Sequence, residues 1–206
     1  TMVTVSYFRL LPMPRSREYD QQELLTEATS AFWSQGYART TMDDIVKRTG
    51  VNRASLYAAF PDKRTLFLAA LRHYLETVTS KNLHHLESGA NASKSIRSFF
   101  LRLVTEPAPP GYSASGCLLT NTAVELGGAE EDVAALVRQA FARVEEALRK
   151  RLHEALVQGD LAPDADPDAL AKQLLVLIQG LRVMRRLGLD QSFLKQAVES
   201  ALRPLQ

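Results

Sequence analysis

GYARTTMDDIVKRTGVNRASLYAAFPDKRTLF, residues 36–67, decides how this chain is read. Thr41 is spaced to accept a backbone N–H at a helix start, and Asp44, three residues on, to answer it, a variant of the capping box. Met42, Ile45, Val46 and, less strictly, Thr49 share one helical stripe. Gly50 ends that helix, because glycine takes the left-handed stop conformation at low cost. Val51 falls at the corner, and Asn52 is a second N-cap that opens Arg53–Phe60. Leu56 and Phe60, spaced i, i+4, face inward there, which leaves Arg53, Ser55, Tyr57, Ala58 and Ala59 facing out. Pro61 stops the segment and Asp62 caps the next helix, which begins Lys63-Arg64-Thr65-Leu66-Phe67.

Two short helices joined by a glycine turn match the helix-turn-helix pattern, whose second helix lies in the major groove of duplex DNA. The same residues carry six basic groups (Arg39, Lys47, Arg48, Arg53, Lys63, Arg64) against three acidic ones (Asp43, Asp44, Asp62). A local excess of this size is compatible with a phosphate footprint but is more often a solvated face. Spacing therefore carries the argument, and charge agrees with it.

From about Glu23 to Phe67 the chain resembles the DNA-binding domain of TetR-type transcriptional regulators. The resemblance rests on an apolar first helix ending Ala-Phe-Trp-Ser-Gln-Gly-Tyr, then Thr-Thr-Met-Asp-Asp-Ile-Val, Gly-Val-Asn, Ser-Leu-Tyr, Phe-Pro-Asp-Lys and Leu-Phe. It implies that Asn52, Arg53, Ser55, Tyr57, Ala58 and Ala59 form the recognition segment, with Tyr57 on a phosphate and Thr41 and Lys63 holding phosphates too. Arg53 is the candidate base reader, since arginine can fork onto a guanine edge; a phosphate contact is the alternative. Ala58 and Ala59 depart from the larger residues many relatives carry, which leaves the operator sequence open; alanine can still touch a thymine methyl.

Length and composition fit a globular regulator. A chain of 206 residues, 46% hydrophobic, can bury a substantial core. No apolar run approaches the ~18 residues of a membrane span, so no membrane partner is expected. One cysteine cannot form an internal disulfide, which suits a reducing cytoplasm. A formal charge of +2 excludes a strongly cationic nucleic-acid coat and asks only for a local patch. The first twelve residues, TMVTVSYFRLLP, lack a clear signal-peptide core or cleavage site and read as an extension; Arg15 and Arg17 then make either a DNA-contacting basic arm or a tail. The expected division is 1–17 extension and arm, 18–67 helix-turn-helix domain, and 68–206 ligand-binding and dimerisation domain.

The fold class is all-α, about nine helices: Tyr19–Gln35, the two short helices, Asp62 to about Leu86, Ser93–Thr105, Ser115–Leu126, Glu130–Gln158, Asp166 to about Leu187, and one from Asp190 to near Pro204. Pro107, Pro109, Pro110 and Gly111 mark a loop. Leu170, Leu174, Leu177, Ile178 and Leu181 form one stripe, and Leu194, Ala197, Val198, Ala201 and Leu202 another. These are either intramolecular core or, as favoured here, a homodimer interface built as a four-helix bundle. Two copies would read a pseudo-palindromic double-stranded operator with half-sites about one helical turn apart or a multiple of it.

A small-molecule inducer is expected among the body helices, with Phe99, Phe100, Leu103, Cys117, Asn121, Phe141, Gln179 and Met184 as candidate lining residues; core packing is the alternative for each. The phrase around Cys117, Ser-Gly-Cys-Leu-Leu-Thr-Asn, resembles a TetR subgroup in which some members sense electrophiles through a cysteine. A thiol in a first helical turn feels the positive dipole end; a buried core cysteine is the bland reading. No phosphate loop, H-E-x-x-H or cysteine pair points to an enzyme, a metal or a cofactor. A helical protein-binding adaptor would explain the body but not the capped turn and its outward polar face.

Overall fold

Asp20 starts the first helix by accepting the Gln22 N–H at 2.8 Å, and α1 runs Gln21–Gln35. This computed structural model describes residues 20–107, 109, 112 and 116–205. The extension, the basic arm with Arg15 and Arg17, and Ser115 at the expected start of the sixth helix lie outside the described residues.

The capping signals at the head act where the sequence puts them. α2, Met42–Thr49, opens with a full capping box: the Thr41 hydroxyl accepts the Asp44 N–H, and Asp44 accepts the Thr41 N–H at 2.9 Å. Gly50 closes it at φ +68°. α3, Arg53–Ala59, is capped by Asn52, and α4, Lys63–Tyr74, by Asp62. Leu56, Ile45 and Phe60 turn inward against Leu24, Ala28, Phe32, Leu66 and Phe67.

α4 does not stop at Tyr74. A π-helical turn, Leu75–Thr79, joins it to α5, Ser80–Glu87, in one rod. Ser80 Oγ donates to the Leu75 carbonyl at 2.9 Å, five residues back, and Thr77 Oγ1 to the His73 carbonyl at 2.7 Å. The rest are α6 (Ala92–Thr105), α7 (Leu118–Leu126), α8 (Glu131–Gln158), α9 (Pro167–Arg186) and α10 (Gln191–Ala201). Counting the rod once gives the nine expected helices among the described residues, with no strand beyond a lone bridge between Leu161 and Leu205.

Two apolar clusters hold the molecule. The upper one joins the head to Cys117, Leu118 and Leu119 of the body and to Val133, Val137 and Ala140 of α8, so packing runs across the expected boundary at residue 67. The lower one gathers Leu86, Ile96, Phe100, Leu148, Leu152, Leu174 and Ile178. The rod and α8 pass through both.

The expected dimer stripes need correction. Leu170, Leu174, Ile178 and Leu181 of α9, with Leu194, Val198 and Leu202, are buried inside a single chain. Leu177 and Ala197 pack against the same lower cluster, and Ala201 is half-buried. Periodicity reveals an apolar face but not its partner, and here α6 and α8 supply the partner. The apolar residues left in solvent lie on other faces: Val176 and Leu187 are each 71% exposed, with Val183, Met184 and, on α10, Phe193.

Candidate nucleic-acid interface and effector cavity

α3 is short, and its stability comes from the Asn52 cap and the buried Leu56. That leaves Arg53, Ala54, Tyr57, Ala58 and Ala59 exposed and Ser55 half-buried. Arg53 has a side chain 63% exposed, ion-paired to Asp43 of α2 at 2.8 Å, with its guanidinium 5.8 Å from the centre of the Tyr57 ring. Asn52 is exposed, but its Oδ1 is spent on the Ala54 N–H. The Thr41 hydroxyl is likewise spent on Asp44, to which it also donates at 2.6 Å. Lys63 is tied inward: Nζ donates to the Tyr37 carbonyl at 3.1 Å and sits 4.3 Å from the Tyr37 ring centre. Arg53, Tyr57, Ala58 and Ala59 are exposed on one short helix, and the hydrogen bonds of Asn52, Thr41 and Lys63 brace the scaffold that presents them.

A second set of contacts, absent from the sequence reading, fastens head to body. Glu125, near the end of α7, accepts the Tyr37 N–H at 2.9 Å and the Ala38 N–H at 2.7 Å. Those two residues supply the carbonyls that hold Lys63. The carboxylate lies so close that a Cβ on Gly36, itself at φ +86°, would stand 2.8 Å from Glu125 Oε2. Arg64 at the start of α4 reaches the start of α8, pairing with Glu130 at 3.1 Å and with Asp132.

Between the head and the lower core lies a cavity of 210 Å³. Trp33 of α1, Tyr74 and Val78 beside the π turn, and Phe99 and Leu103 of α6 give it apolar walls; Arg102, Glu106, Arg182 and Arg185 give it charge. Of the expected lining residues, only Phe99 and Leu103 line it directly. Phe100 is wholly buried in the lower core, and Phe141 packs against the upper cluster. Met184 is exposed on α9. Gln179 accepts from Thr120 Oγ1 at 2.7 Å, and the buried Asn121 Nδ2 has no partner among the described residues.

Cys117 stands one layer behind the wall. It is the N-cap residue of α7, not part of its first turn, and is 1% exposed. Its Sγ accepts from Arg182 Nη1 at 2.8 Å and lies 3.5 Å from the Tyr74 hydroxyl. Burial pushes the thiol up, but the Arg182 charge and hydrogen bonds from Tyr74 and Thr120 outweigh it and hold the thiol below its ordinary value. Tyr74 moves the other way, raised well above its ordinary value by burial and by Cys117. Arg182 is 65 residues away in the chain, which is why the sequence offered no activating cation.

Comparison with known proteins agrees with this geometry. Residues 24–70 match the family described as bacterial regulatory proteins, tetR family, and residues 94–201 match the tetracyclin repressor-like C-terminal domain. The chain is 27% identical over 189 residues to the HTH-type transcriptional repressor ComR of Escherichia coli K12, covering 92% of this chain and 90% of ComR. It superposes with a TM-score of 0.81 and 26% identity on a cysteine mutant of the TetR family regulator CifR complexed with 26-bp double-strand operator DNA, covering 93% of this chain and 100% of that one. The reduced form of E. coli NemR shares the fold, with a TM-score of 0.79 at 18% identity over 91% of this chain and 98% of that one.

Proposed function

The chain belongs to the TetR family of bacterial regulatory proteins and is a DNA-binding transcriptional regulator, and from that premise we propose that it is a dimeric cytoplasmic repressor released from its operator by an effector bound in the body. The observation that carries this reading is the outward face of α3, where Arg53, Tyr57, Ala58 and Ala59 stand exposed on a firmly capped scaffold. Residues 18–67 read DNA, and 68–206 pair the subunits and receive the effector. Pairing uses the solvent-facing apolar residues of α9 and α10, Val176, Val183, Met184, Leu187 and Phe193. Two heads then meet half-sites about 34–36 Å apart, or a multiple of that. ComR bears the name repressor, and CifR is seen on its operator, which supports repression here. A salt-dependent gel shift with genomic fragments tests the reading: fragments held above random DNA and containing an inverted repeat support it, and uniform weak binding overturns it.

Effector signalling follows the contacts that join cavity to head. A molecule wedged between Tyr74, Val78 and Arg182 displaces the π turn and the start of α7. α7 carries Glu125 at its far end, so the shift reaches the Tyr37–Ala38 amides and the head that hangs on them. When the separation of the heads changes, both can no longer fit at once and avidity falls.

Cys117 is the proposed second input. Its sulfur electron pair adds to an electrophilic carbon, forming an S–C bond, and a proton ends on the adduct's carbanion; the bulkier thioether disrupts the contact with Arg182. Its deep burial favours the alternative of a packing residue. Release of operator DNA by a maleimide that disappears in Cys117→Ser supports the sensor, and release that persists, or never occurs, leaves the cysteine as packing.

A further inference from the structure

We propose that the effector is a small organic carboxylate with a flat apolar body, held by the arginines of the cavity, a deepening that rests on the cavity being the effector site. The walls contribute three guanidinium groups and one carboxylate. Residues 108, 110, 111 and 113–115, outside the described residues, are Ala, Pro, Gly and Ser and carry no side-chain charge.

The three cations differ in how well they are satisfied. Arg102 pairs with Glu106 at 2.9 Å, which accounts for the single carboxylate. Arg185 donates to the Leu103 carbonyl at 2.5 Å and to the Glu106 carbonyl, neutral acceptors both. Burial lowers its affinity for the proton, and the charge of nearby Glu106 offsets only part of that. Arg182 has the Cys117 sulfur and no carboxylate partner among the described residues. Arg182 and Arg185 are three residues apart on α9, so they share a face and form a two-pronged anion clamp.

Other walls are aromatic. Phe99 packs edge-on to Phe100 at 5.5 Å, and Trp33 packs edge-on to Tyr74 at 5.0 Å. At 210 Å³ the space falls below the ~300–1,000 Å³ of drug-sized sites, so one ring or a short chain fits. A neutral ring would bring no counter-charge to Arg182 and Arg185, and a cation would be repelled; a carboxylate on a flat body satisfies both the charge and the walls.

The chain's only tryptophan, Trp33, forms part of the wall and gives a direct readout without DNA. Matched pairs, benzoate with benzamide, phenylacetate with phenylacetamide and cinnamate with cinnamamide, are titrated at constant ionic strength against Trp33 fluorescence. At least one carboxylate is expected to bind about tenfold or more tighter than its own amide. Arg182→Gln and Arg185→Gln should remove that preference while leaving amide binding unchanged, and Arg182→Lys should keep much of it. Circular dichroism confirms that each variant folds, and Arg185→Gln alone serves if Arg182→Gln does not. No carboxylate exceeding its amide, a preference that survives loss of both arginines, or equal binding of inorganic phosphate overturns the proposal. Operator binding measured on the same samples separates the outcomes: intact DNA binding with no anion preference removes this inference alone, whereas absent DNA binding removes the regulator.

Discussion

Arg53 waits in the free protein with its charge already engaged, 2.8 Å from Asp43 and close to Tyr57. Both groups are exposed, so the pair is weak and a guanine edge or phosphate can replace the carboxylate. Arg53→Ala should cost about 1–3 kcal/mol of operator affinity and less on random DNA, measured by gel shift on both; equal losses make it a phosphate contact. Lys63→Ala should weaken operator and random DNA alike. A flatter salt slope then marks a lost phosphate contact, whereas an unchanged slope with a lower melting temperature marks the loop that Nζ holds at Tyr37. The caps predict a pH dependence. Hydrogen bonds from Thr41 hold the Asp44 carboxyl below its ordinary value, and bonds from Thr65 do the same for Asp62. Groups depressed in the folded state contribute stability above their unfolded value, near about 3.9, and lose it as pH falls through the folded one. Melting temperature should therefore hold from neutral pH to about pH 5 and drop below about pH 4, with a shallower drop in the Asp44→Asn, Asp62→Asn double variant. An undiminished drop would place the acid sensitivity elsewhere.

Among the elements, α7 is the one that joins the Arg182 region to the head. Its nine residues begin beside Arg182 and end at the head, with Glu125 accepting two amides from the α1–α2 loop. Glu125→Ala should speed hydrogen exchange at Tyr37 and Ala38 while amides within α10 stay protected; unchanged exchange at Tyr37 would mean that the loop holds itself. This contact also marks where the sequence stops being legible. Thr41 with Asp44, Gly50, Asn52 and Asp62 could be read because each acts within four residues of itself, and the local backbone alone decides its role. Glu125 acts 88 residues away and Arg182 acts on Cys117 across 65, and no local pattern encodes such pairings. The cavity was legible only in part for the same reason. Phe99 and Leu103 announced an apolar wall, but Trp33, Tyr74 and the arginines reach it from distant elements. The π turn was hidden as well, since Leu75–Thr79 carries no residue that breaks a helical reading.

At the scale of the whole molecule, the question is which face meets a second copy. The stripe through Leu174 and Ile178 was legible as apolar but not as internal, because α8 and α9 bury it against each other within one chain. What α9 and its C-cap leave outside is a band: Val176, Gly180, Val183, Met184 and Leu187, spaced i, i+4, i+7, i+8 and i+11 on a single helical face. Four of these five are large apolar residues in solvent, and Phe193 of α10 adds a fifth side chain, 55% exposed. A soluble protein rarely leaves such a band uncovered, and a two-fold axis would lay it against its own copy. The two faces predict opposite failures. Val176→Glu combined with Val183→Glu should leave helicity and melting of the subunit near wild type, yet shift sedimentation to a monomer and abolish tight operator binding, since one head alone lacks avidity. Leu174→Ala should instead cost about 2–5 kcal/mol of stability through the cavity it opens, with the folded fraction still dimeric. A glutamate pair that still sediments as a dimer would move the interface off this band, and a Leu174→Ala protein that folds normally but runs as a monomer would return it to the buried stripe.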